Sequence, residues 1–203
     1  MMRRENMSGK RMLPTDFFGG EDVLQLAHDL IGKRLVTVEN DVLTAGIITE
    51  TEAYAGIHDK ASHAYGGRKT NRTQTMFEAG GIAYIYLCYG IHSLFNIVTN
   101  QEGIPDAILI RALQPDQGLP KMQERTAKKR TDKKLTDGPG KLAKAMGLHY
   151  SRNGMPLNEK RDGFKVWVEE DFEYNPPEIH AAPRIGVDYA GDDAKLPYRF
   201  YTK

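Results

Sequence analysis

The stretch "GIAYIYLCYGIHSLFNIVT", residues 81–99, decides how this chain folds. Two runs rich in β-branched and aromatic residues flank Tyr89-Gly90, which predicts an antiparallel hairpin turning at those two residues. "AILIRAL" (107–113) follows closely, and its short apolar run predicts a central strand. Upstream, strands are predicted near 34–39 and 42–50; downstream, "FKVWVEE" and "PRIGV" read as closing strands. Strands and helices do not alternate regularly, so the fold class is α+β, a single domain built on a mostly antiparallel sheet with peripheral helices.

Three helices complete the outline. Within "EDVLQLAHDLIGKRL", the residues Val23, Leu24, Leu26, Ala27, Leu30 and Ile31 form an apolar stripe at helical spacing. The basic stretch "KMQERTAKKRTDKK" (121–134) and the segment "GPGKLAKAMGL" supply two more, the second opened by Pro139 and closed by Gly147. Residues 55–80, rich in Gly, Thr, Asn and Arg, read as a long irregular segment. Residues 1–11 read as a disordered N-terminal arm, leaving 12–203 as the folded domain. The arm is basic but lacks the apolar core of a signal peptide, and no run approaches membrane-spanning length, so a cytoplasmic or nuclear location is expected. A single cysteine, Cys88, excludes an internal disulfide framework and a thiolate-rich metal cage. It lies in an apolar strand and reads as packing.

The chemistry begins at "ETEAYAGIHDKASHAYGG" (50–67). If the strand from Leu43 runs on, alternation puts Ile48, Glu50, Glu52 and Tyr54 on one face. An apolar face that turns acidic and then aromatic does little for stability alone. Arg111 interrupts an apolar strand, and a buried guanidinium requires a carboxylate partner or a polar cavity. Glu50 and Glu52 are its candidate partners, forming a structural ion pair or a pocket in which Arg111 holds a carboxylate that acts as base. Tyr84 and Tyr86 share a strand face and Tyr89 sits at the hairpin tip. With Tyr54 and His63 they suit a planar ligand held by stacking, and a nucleobase is such a ligand. His58, Asp59 and His63 lie close in sequence, but their spacing fits no common metal site, and they read as solvated loop residues. The run 121–134 carries seven Lys/Arg against two acidic residues, either a phosphate-contacting edge or a solvated helix.

These residues resemble the alkyladenine (3-methyladenine) DNA glycosylase family. The likeness rests on "ETEAY", His63 with "GGR", "YIYLCYG", Asn96, "AILIRALQP", "GPGKLAKAMG" and the tail "RIGVDYAGDDAKLPYRFY", in that order over 12–202. It implies a monofunctional enzyme that excises alkylated or deaminated purines such as 3-methyladenine and hypoxanthine, leaves an abasic site, and inserts its β-hairpin into the minor groove. It also implies double-stranded DNA carrying damaged purines as partner, with no metal, no organic cofactor and no membrane; a monomer is expected. By the resemblance, Glu52 is the general base and Arg111 helps hold it and the attacking water. Tyr54, His63 and Tyr86 wall the base pocket, Asn96 crowds the 2-amino group of normal guanine, and Tyr89 fills the gap left by the flipped nucleotide. No residue is assigned as the acid that a neutral leaving base needs. The short N-terminal arm and the "IHDKAS" connection depart from the larger family members and bear on the range of lesions.

Two readings from other classes stand beside this one. In a non-catalytic nucleic-acid-binding module, Glu52 and Arg111 form only a structural pair. In a nucleoside or sugar hydrolase, Glu50 and Glu52 act as an acid/base pair, at the roughly 7 Å that separates same-face neighbours on a strand.

Overall fold

The computed structural model describes residues 10–127, 133–172 and 174–203. Its centre is a long strand, β3 (Val42–Tyr54), paired on one edge first with β2 (Arg34–Glu39) and then with β10 (Arg199–Tyr201). The other edge of β3 carries β6 (Asp106–Gln117). Beyond it lie β5 (His92–Thr99) and β4 (Ala83–Cys88), which form the hairpin expected from 81–99. Outside β2 run β8 (Phe164–Asp171) and β1 (Lys10–Met12), with β7 (Lys160–Arg161) on β8 and β9 (His180–Ala182) on β10. All these pairings are antiparallel. The expected α+β class holds. Residues 1–9 of the N-terminal arm lie outside the described residues, while Lys10 and Arg11, its last two, pair with Asp171 and Glu170 in the sheet.

One face of the sheet carries the main core. Ile85, Phe95, Ile97, Ile108 and Ile110 pack there against α1 (Val23–Asp29) and α3 (Pro139–Met146). The Asp22 carboxylate caps α1, accepting the N–H groups of Leu24 and Gln25 at 3.0 Å each. The stripe buries Val23, Leu26, Ala27, Leu30 and Ile31, with Leu24 half-buried at its margin. Pro139 opens α3, and Gly147 closes it with φ of 72°, the left-handed cap that a side chain resists. The basic stretch yields α2 (Leu119–Thr126); residues 128–132 of that run lie outside the described residues. Among the described residues no helix is long and apolar enough to cross a membrane.

Two expectations fail, each for a definable reason. Ile48 does not share a face with Glu50 and Glu52. It joins Ala53, Ile110 and Leu113 in the core, because the β3–β6 register shifts on either side of Glu50. Thr49 and then Arg111 are the extra residues, a double bulge that resets alternation on both strands. "PRIGV" is not a strand; the strand there is β9, and residues 183–187 form a loop crossing the other face of the sheet. The Ile185 N–H donates to Glu52 and the Pro183 carbonyl accepts from Arg199, so neither group joins a ladder.

Candidate active site

Opposite the core, the sheet presents a second set of side chains from neighbouring strands. Glu50, Glu52 and Tyr54 come from β3, Tyr84 and Tyr86 from β4, Asn96 from β5, and Leu109 and Arg111 from β6. The segment 55–80 and the loop 183–195 arch over them and enclose a cavity of about 490 Å³. Glu52, Tyr54, His63, Tyr84, Tyr86, Asn96 and Arg111 all line it, with Tyr89 at its rim. The residues that the resemblance assigns to the site therefore meet in one cavity, whereas Glu50, His58 and Asp59 do not line it.

Glu52 lies at its floor with its side chain fully buried. The Tyr54 hydroxyl donates to Oε2 at 2.8 Å, and the Ile185 N–H donates to Oε1 at 2.7 Å. The Arg111 guanidinium stands 3.3 Å from Oε1 through Nη1, and its Nε donates to Glu50 Oε1 at 3.2 Å. Burial pushes the Glu52 carboxyl above the usual carboxylate range, while Arg111, the Ile185 N–H and the Tyr54 hydroxyl pull it back. A carboxylate so held is a stronger proton acceptor than a solvated one. Glu50 differs. Its Oε1 also accepts from Arg199 at 2.9 Å, and it does not line the cavity. The two strand neighbours that alternation could not separate are thus distinguished: one faces the cavity, the other anchors Arg111.

The walls are aromatic. His63 meets Tyr86 edge-on with ring centres 4.6 Å apart, and its Nδ1 lies 2.9 Å from the Tyr84 hydroxyl. Burial first, then the neighbouring Arg72 and Arg68, lower the His63 pKa to about 4, so the ring is neutral at physiological pH. Tyr84 is pushed up to about 12 by burial, and Tyr54 and Tyr86 are also raised. All three stay protonated donors. Asn96 donates its amide N–H groups to the carbonyls of Tyr84 and Leu94, at 3.0 and 3.3 Å, which fixes its side chain against the floor. The mouth is different: Tyr89 and Gly90 have φ of 51° and 72°, and Tyr89 is 92% exposed. A tyrosine held in the left-handed region with its ring in solvent gains nothing from the fold, and such strain concentrates at functional sites.

Arg72 and Arg184 were not singled out from the sequence, and Cys88 and Asp59 were given other roles there. Cys88 lines the cavity half-buried rather than simply packing. Arg72 places its guanidinium 4.9 Å over the Tyr86 ring. Asp59, expected to be solvated, is buried and forms a bidentate ion pair with Arg184. Arg184 sits in the apolar run "PRIGV" much as Arg111 sits in "AILIRAL", so the same cost-of-burial argument would have found it. Among the described residues no three His, Cys, Asp or Glu side chains gather as a metal site.

A buried, hydrogen-bonded carboxylate thus lies at the floor of a tyrosine- and histidine-walled cavity, beneath an exposed aromatic tip. The chain belongs to the methylpurine-DNA glycosylase family, whose pattern matches residues 16–203. It is 44% identical over 190 residues to a protein of Chlamydia pneumoniae described as a candidate 3-methyladenine DNA glycosylase, covering 93% of this chain and 94% of that one. Proteins with the same description from Chlamydia felis (45% over 190 residues; 93% of this chain, 95% of the relative) and Bacillus cereus strain AH187 (42% over 194; 93% and 94%) are similar throughout.

Proposed function

We propose that this DNA glycosylase hydrolyses the N-glycosidic bond of alkylated or deaminated purines, 3-methyladenine and hypoxanthine among them, in double-stranded DNA. It acts as a monomer and uses Glu52 as general base. The observation that carries this reading is Glu52 itself: a fully buried carboxylate at the floor of the aromatic cavity, with three donors arranged around it. The damaged nucleotide leaves the stack at a cost of a few kcal/mol, least where its pairing is already weakened. Tyr89 enters the space it vacates and offsets part of that cost. The purine lies between Tyr54, His63 and Tyr86, with Asn96 beside it restricting substituents on its edge.

As the C1′–N bond lengthens, its electron pair moves onto the purine and positive charge grows on the sugar. The Glu52 carboxylate stabilises that charge, and Arg111 keeps the carboxylate in place. Water forms the new C–O bond at C1′ and its proton passes to Glu52. A cationic alkylpurine departs as a neutral base; hypoxanthine departs as an anion or accepts a proton.

Incubation with a duplex carrying one hypoxanthine, followed by alkali, tests the assignment. Wild-type protein is expected to give strand scission at the lesion. Glu52→Gln keeps the shape of the side chain but accepts no proton, so it is expected to lose at least ~10²-fold in excision. It should bind the damaged duplex within about tenfold of wild type, roughly 1.4 kcal/mol. Near-normal turnover by Glu52→Gln, or transfer of the defect to Glu50→Gln, removes Glu52 from this role. Release of base from the free nucleoside alone identifies a nucleoside hydrolase instead.

A further inference from the structure

The pair Asp59–Arg184 lies behind the catalytic carboxylate rather than against the cavity, and neither residue touches the reacting groups. Its side chains are among the most deeply buried charges in the protein, with relative exposures of 2% and 0%. Such a pair is expensive to desolvate and is no more stabilising than a well-packed apolar substitute, so its presence calls for a reason besides stability.

Its connections supply one. Arg184 Nη1 and Nη2 donate to the two oxygens of Asp59, Nη1 donates further to the Ala53 carbonyl at 2.9 Å, and Nη2 to the Asp193 carbonyl at 3.2 Å. Asp59 in turn accepts the backbone N–H groups of Ala55 and Ala61, at 3.1 and 2.9 Å. One ion pair thereby ties together the end of β3, the start of the irregular segment 55–80, and the loop 183–195. Two consequences reach Glu52. The residue after Arg184 is Ile185, whose N–H donates to Glu52 Oε1. The Arg184 guanidinium also stacks 4.9 Å over the ring of Tyr54, whose hydroxyl donates to Glu52 Oε2. Both uncharged donors to the catalytic carboxylate are therefore set by the same guanidinium.

We infer that Asp59 and Arg184 are positioning residues for catalysis: their ion pair locks the 183–187 loop and the Tyr54 ring so that Ile185 and Tyr54 hold Glu52 in its working orientation. This inference rests on the reading of Glu52 as the base. The charged and titratable groups around Glu52 among the described residues are Arg111 from β6, Glu50 and Tyr54 from β3, and Arg184 and Tyr189 from the loop 183–195, with Arg199 of β10 engaged on Glu50. Of these, only Arg184 also governs the uncharged donors.

The test is single-turnover excision of hypoxanthine from duplex DNA, measured across pH for wild type, Asp59→Asn, Arg184→Lys and Glu52→Gln, with damaged-duplex binding and melting followed in parallel. Loosened donors favour the ionised carboxylate less, so the acidic limb of the rate profile should move to higher pH in both pair variants, by about half a unit or more. The rate at neutral pH should fall at least about tenfold while binding stays within about threefold. Arg184→Lys retains the charge and much of the stem, so it decides the question should Asp59→Asn fail to fold. A lowered melting temperature with the acidic limb unmoved and excision retained makes the pair merely structural and overturns the inference. If Glu52→Gln excises normally, the failure lies instead in the assignment of the base.

Discussion

Arg111→Met offers the sharpest test of how the site is held together. The substitution keeps most of the aliphatic stem and removes the guanidinium that spans Glu50 at 3.2 Å and Glu52 at 3.3 Å, in surroundings where the Arg111 side chain is only 11% exposed. Breaking a buried pair by removing one partner costs roughly 3–5 kcal/mol. The low end applies here, because Glu50 keeps Arg199 and Glu52 keeps Tyr54 and the Ile185 N–H. A loss of about 3 kcal/mol, with a urea slope of ~2 kcal/mol per molar, lowers the denaturation midpoint by about 1.5 M. The deficit depends on pH with a definite sign. Glu52 holds its proton to higher pH in the native protein than in the unfolded chain. Its contribution to stability is therefore fully present below the ordinary carboxylate range and is lost as pH rises through the native value. Arg111 opposes that rise, so the variant is weakest at neutral pH and recovers part of its stability toward acid. Urea titrations at neutral pH and at about pH 5 read this directly, and excision assays on the same samples should show a loss of about 10²-fold. An unchanged midpoint with full activity, or a deficit that grows toward acid, refutes the reasoning.

Two further outcomes follow from the cavity and its rim. Tyr89→Ala should weaken excision from a paired duplex much more than from a mismatched one, and hardly at all from single-stranded DNA, since its ring acts only where a stack must be opened; equal losses on all three substrates at one salt concentration rule out the plug. His63, half-buried beside Arg72 with its pKa lowered to about 4, should show no titration by NMR between about pH 5.5 and 8. Acid should destabilise the protein through this residue as pH falls from the ordinary histidine range toward 4, because the unfolded chain takes up the proton first; a midpoint near 6.5 would place the ring in solvent.

Much of this molecule is written in local pattern. The hairpin of β4 and β5, its exposed tip, the apolar stripe of α1 and the Pro-to-Gly limits of α3 each follow from neighbouring residues, because turn chemistry and helical periodicity act over a few positions. That Arg111 needed carboxylates was also legible, since burying a guanidinium has the same cost in any fold. Which carboxylate serves the cavity was not. Alternation treats Glu50 and Glu52 alike and groups Ile48 with them, whereas the double bulge at Thr49 and Arg111 sends Ile48 to the core; a bulge is a property of two paired strands, so one strand's residues do not reveal it. The loop at "PRIGV" escaped for a related reason. Its apolar residues have the composition of a strand, but Arg184 is bound to Asp59, 125 positions earlier, and the Ile185 N–H to Glu52, 133 positions earlier. Those partners meet only once the sheet has formed, and the contacts that surround Glu52 form with them.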